Sequence, residues 1–75
     1  MNRTAERITV TDNGRGVPRN FYVGDMLVAK MTRSRLRGGN GFTVRLYTSP
    51  DEYEIWRTSS MWEATALCWR HAETF

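Results

Sequence analysis

An α+β fold, a small antiparallel β-meander of three to four strands packed against one C-terminal α-helix, follows from three features of this 75-residue sequence. Two β-rich runs, Phe42 to Thr48 and Tyr53 to Thr58, flank Ser49-Pro50-Asp51-Glu52, where Pro and the Asp after it suit a type I hairpin turn. Ser60 with Glu63 three residues on makes a capping box. Met61 to His71 then contains no Gly, no Pro and a single β-branched residue, Thr65, so a helix is expected to continue from that cap.

Alternation along the hairpin places Phe42, Val44 and Leu46 on one face with Tyr53 and Ile55 opposite them, and leaves Arg45, Tyr47 and Trp56 on the other. At 100° per residue Met61, Ala64, Cys68, Ala72 and Phe75 form one stripe of the helix, with Trp62 and Trp69 on a flank where they would cover the sheet edge. The small residues Ala64, Cys68 and Ala72 permit close approach to a sheet. In the first half, Arg7 to Thr11 alternates like a strand. Phe21 to Arg33 reads either as one long strand with Gly24 as a bulge or as a helix starting near Asp25, and Phe21, Tyr22, Val23 and Val28 favour the strand. Gly38-Gly39-Asn40-Gly41 closes a looser hairpin. The whole chain is expected to form a single domain, residues 1–75, with 1–6 as a flexible tail.

Length and composition narrow the function classes. A chain this short buries only about 60% of the surface its unfolded form exposes. The lone cysteine, Cys68, allows no internal disulfide, and no Cys/His set has zinc-ligand spacing. Stability must come from packing, to which homodimerisation would add. No cofactor is expected and no metal. The opening residues carry no apolar run of the signal-peptide kind, and nothing approaches the ~20 apolar residues of a membrane span, so a cytoplasmic protein without a membrane partner is expected.

Charge is divided along the chain. Arg3, Arg7, Arg15, Arg19, Lys30, Arg33, Arg35, Arg37 and Arg45 outweigh Glu6, Asp12 and Asp25 in residues 1–45, whereas Asp51, Glu52, Glu54, Glu63 and Glu73 outweigh Arg57 and Arg70 beyond them. Such a dipolar molecule can present one region to a polyanion and another to a basic surface.

Ile8 to Pro18 contains the one stretch that looks catalytic. Asp12-Asn13-Gly14-Arg15-Gly16 after a short strand resembles the D-x-G-x-G turn that holds adenine in the ATPase domain of gyrase-type topoisomerases, histidine kinases and Hsp90-type chaperones. That resemblance implies ATP binding, but it spans eleven residues, and such an ATPase also needs several helices, a metal-holding Asn and a long lid. The local chemistry accounts for the residues as a turn: Asn-Gly and Arg-Gly tolerate positive φ, and Val-Pro forces an extended exit. Cys68 and His71 share a helical face but lack an oxyanion site and a cleft, so no catalytic set is assigned and the protein is expected not to be an enzyme.

Two candidate binding features are left. Arg33, Arg35 and Arg37 alternate and run into the glycine loop, forming a cationic finger. Arg45, Tyr47 and Trp56 form an aromatic cluster of the kind used both by interface hot spots and by base-stacking platforms. The expected function is that of a non-enzymatic binding protein making stoichiometric contact with a larger protein or nucleoprotein complex. In size and composition it is similar in type to phage and mobile-element inhibitors of host machinery, including anti-CRISPR proteins. The alternative is a nucleic-acid-binding module using the basic loop and the exposed aromatics.

Overall fold

The computed structural model describes residues 7–12, 14, 16–36 and 39–75, with the side chains of 36, 39 and 40 excepted. Among them, β1 (Ile8–Asp12), β2 (Arg19–Val23), β3 (Met26–Leu36), β4 (Gly39–Ser49) and β5 (Glu52–Thr58) precede a single helix, α1 (Met61–Glu73). The strands pair antiparallel in sequence order, β1-β2-β3-β4-β5, and α1 lies across one face, mainly over β3 and β4. This is the expected α+β meander with five strands rather than three to four.

The additional strand comes from the stretch expected to be one long strand. Val23 pairs directly with Met26, so Gly24 and Asp25 form a two-residue hairpin turn instead of a bulge. Gly24 has φ of 60°, a left-handed conformation such tight turns require and glycine adopts at little cost. A bulge does occur nearby, on β3: Phe21 pairs with Ala29 and Tyr22 with Leu27, leaving Val28 as the extra residue. Val28 is fully buried.

The registers align residues in rows across the sheet. Under the helix run Asp12, Arg19, Met31, Val44 and Trp56, and beside them Val10, Phe21, Ala29, Leu46 and Glu54. The centre of these rows is the core. Phe21, Ala29, Met31 and Val44 are fully buried against Ala64, Cys68 and Ala72, whose small side chains allow the helix to settle close to the sheet. Trp69 closes the β2 side by meeting Phe21 edge to face, centroids 5.6 Å apart.

A cap fixes the first turn of the helix and a side-chain tether holds its last turns to β4. Ser60 Oγ accepts from Glu63 N at 3.2 Å, as a capping box requires. The reciprocal half is relayed: Ser60 N donates to Thr58 Oγ1 at 3.1 Å, and that hydroxyl donates to Glu63 Oε2 at 2.7 Å. At the far end His71 Nε2 lies 2.6 Å from the Tyr47 carbonyl oxygen, which can only accept, so the ring donates from Nε2. Opposite the helix, the second face of the sheet is uncovered among the described residues.

Candidate binding surfaces

The phase of β5 decides which side chains share a surface. At the hairpin tip Ser49 pairs with Glu52, but one step inward Tyr47 pairs with Tyr53, so Thr48 is an extra residue on β4. Without that bulge, Arg45 would stand opposite Trp56. With it, Trp56 stands opposite Val44 on the helix side, while Tyr53 and Ile55 join Arg45 and Tyr47 on the open face. The expected grouping of Trp56 with Arg45 and Tyr47, and of Tyr53 and Ile55 with the core, is therefore inverted: a one-residue shift moves every side chain of a strand to the opposite face.

The open face is ordered in three rows. Tyr47 and Tyr53 lie against each other, centroids 5.2 Å apart, beside a depression of about 550 Å³ lined by Asp25, Met26, Leu27, Tyr47 and Pro50. The next row runs Thr11, Asn20, Lys30, Arg45, Ile55, so two cations stand directly opposite each other on adjacent strands. The third carries Thr32, Thr43 and Arg57. Arg45 reaches over the Tyr53 ring, 5.2 Å from its centroid. Among the described residues, Lys30, Arg45 and Arg57 form no ion pair, and strand alternation puts Asp12, Glu52 and Glu54 on the helix side. The sequence does not point to Tyr53, Ile55 and Arg57 for this face because the bulge that places them there has no residue signature in Tyr47-Thr48-Ser49, and Lys30 joins it through the β3–β4 register, which a single sequence does not specify.

The helix side holds a second, apolar surface. Trp62 is 82% exposed and does not cover the sheet edge as the helical wheel suggests; only Trp69 does so. Trp62 lies in the first turn, where Met61, Thr65 and Ala66, with Arg19 and Trp69 beyond them, line the surface around it and leave the indole in water. Between α1 and β5 a groove of about 400 Å³ is walled by Trp56, Trp62, Ala66 and Leu67, with Arg57, Glu63 and Arg70 around them. Trp56 is 48% exposed, and its indole N–H donates to Glu54 Oε2 at 3.4 Å.

Arg33 and Arg35 are exposed and share one face of a two-stranded arm, since β2 ends at the Arg19–Met31 pair and β5 at Thr58–Phe42 while β3 and β4 continue. Arg33 pairs with Phe42, which puts both arginines on the helix side, away from Arg45 and Tyr47. Arg37 lies outside the described residues. The five described residues among the six expected to bind partners are thus divided between two sides of the sheet, Arg45 and Tyr47 on the open face and Arg33, Arg35 and Trp56 on the helix side.

The turn after β1 is built by its own hydrogen bond. Asp12 Oδ1 accepts from Gly14 N at 2.7 Å, and Gly14 and Gly16 have φ of 83° and 95°. Asp12 Oδ2 also lies 4.0 Å from Arg19 Nε, a loose ion pair, while Arg19 Nη1 donates to Thr65 Oγ1 at 3.5 Å. The Asp12 carboxylate is committed to the fold. Cys68 is fully buried, and burial pushes its thiol from 9.0 up to about 12 against the smaller opposing pull of the Arg19 guanidinium. A thiol so held is a poor nucleophile. Among the described residues no group of His, Cys, Asp and Glu is arranged to hold a metal ion, and no helix is long and apolar enough to cross a membrane. Comparison with protein-family models, with curated proteins and with solved structures finds no match to this chain.

Proposed function

We propose that this is a non-enzymatic binding protein that acts by stoichiometric contact with a larger protein, through the aromatic groove between α1 and β5. The observation that carries the reading is Trp62, a first-turn indole left 82% exposed beside the half-exposed Trp56. Burying an aromatic of this size contributes more than any other single side chain at most interfaces, and tryptophan is the residue most enriched at their energetic centres. The groove gives a partner's apolar side chain a floor at Ala66 and Leu67, and Arg57, Glu63 and Arg70 supply the polar rim such sites use. Blocking a host machine by occupying its surface, as phage and mobile-element inhibitors do, is an activity such a surface supports.

The test is affinity capture from nuclease-treated lysate with the wild type and Trp62→Ala side by side. A partner held by the wild type through nuclease treatment and lost with Trp62→Ala is the expected result. Capture that is indifferent to Trp62, or abolished by nuclease alone, contradicts the reading.

A further inference from the structure

We infer that the open face of the sheet binds single-stranded nucleic acid, with phosphates on Lys30, Arg45 and Arg57 and bases against Tyr47 and Tyr53. The inference goes beyond the protein contact on the other side of the sheet and shares with it only Arg57, at the β5 edge between the two surfaces. Its starting point is the direct cross-strand pairing of Lys30 with Arg45. Like charges facing each other on adjacent strands destabilise a sheet, and a counter-charge is the ordinary remedy. Among the described residues neither cation forms an ion pair: the acids of β1 and β5 stand on the helix side, and Asp25 sits at the β2–β3 turn, in the depression beside Tyr47. An incoming anion relieves that repulsion on binding. Arg57 adds a third cation diagonal to Arg45, and Thr32 and Thr43 bring hydroxyl donors to the same row.

The aromatic row identifies the anion's chemistry. Tyr47 and Tyr53 lie one alternation step from the cations, about 7 Å along the strands, and Tyr53 is 45% exposed. The depression beside Tyr47, walled by Met26, Leu27 and Pro50 with the Asp25 carboxylate among its lining, offers a largely apolar seat at the same end of the face. Cations in one row and ring faces in the next match a polymer whose backbone is anionic and whose substituents are flat, which is how single strands are held without sequence preference. A duplex keeps its bases stacked inside and offers nothing to the tyrosines.

The experiment is fluorescence anisotropy of a labelled twelve-nucleotide oligo-dT with the full chain, followed across salt, with the duplex and poly-glutamate as comparison probes. Three phosphate contacts predict saturable binding whose log K falls against log salt with a slope near −2. Lys30→Gln with Arg45→Gln is expected to weaken binding at least tenfold and flatten the slope, while Lys30→Gln alone, which ends the repulsion and keeps Arg45 over Tyr53, melts no earlier than the wild type. Tyr53→Ala lowers affinity without changing the slope, and Trp62→Ala leaves binding unchanged, which separates this face from the groove. Absence of binding at low salt, equal affinity for duplex or poly-glutamate, or an early-melting Lys30→Gln variant would each overturn the inference.

Discussion

His71 donates its Nε2–H to the backbone carbonyl of Tyr47 at 2.6 Å, beside the position where β4 carries its extra residue. A bulge interrupts the regular ladder, and this side-chain bond from the last turns of α1 gives a carbonyl at its edge a partner. The helix is thereby tied to the same irregularity that sets the phase of β5. Phe75 packs edge-on against the ring, centroids 5.2 Å apart, and keeps it in place.

Replacing His71 by Ala is expected to lower stability by about 1–2 kcal/mol, because a part-buried carbonyl loses its donor. Chemical denaturation measures this. Nitrogen-15 chemical shifts of the ring should report the Nε2–H tautomer in the wild type.

Trp62 and Trp56 should differ sharply as contributors to the fold. Trp62→Ala removes a side chain already in water and should change stability by less than about 0.5 kcal/mol, whereas Trp56→Ala uncovers part of the β5 face opposite Val44 and should cost about 1–2 kcal/mol. Equal losses in urea melts would show that Trp62 is a structural residue.

Asp12→Ala should cost about 1 kcal/mol through loss of the bond to Gly14 N and of the approach to Arg19. Millimolar ATP should shift the melting temperature of neither form. A saturable ATP-dependent shift that disappears in Asp12→Ala would restore the ATPase resemblance as function.

Cys68 predicts an alkaline dependence of stability. Its folded pKa, about 12, lies above its unfolded value near 9, so the native state holds the proton more tightly. The associated stability is complete below pH 9 and is lost as the pH climbs from there towards 12. Cys68→Ala should cost about 1 kcal/mol or somewhat more at neutral pH and show a shallower decline over that window, and the native thiol should label slowly.

The helix and its cap were legible because capping chemistry and 3.6-residue periodicity are local, as are the turns at Ser49 to Glu52 and at Asp12 to Gly16. The β2–β3 hairpin was legible in principle: Gly24-Asp25 is a two-residue turn signal, but the surrounding apolar run reads equally well as one strand. The site was less accessible. Which face Trp56 occupies depends on Thr48 being unpaired, and nothing in that residue's chemistry announces it. A bulge is selected by how the finished sheet and helix fit together. The exposure of Trp62 is hidden for a related reason, since a helical wheel gives an angle but not which neighbours from other elements cover a side chain.

The most direct test of the binding account is calorimetric titration of the purified captured partner with the wild type, Trp62→Ala and Arg45→Gln. The account predicts a loss of about 2 kcal/mol or more for Trp62→Ala, roughly thirtyfold in affinity, with weak salt dependence and little change for Arg45→Gln. A loss below about threefold for Trp62→Ala, or a larger loss for Arg45→Gln, would contradict it.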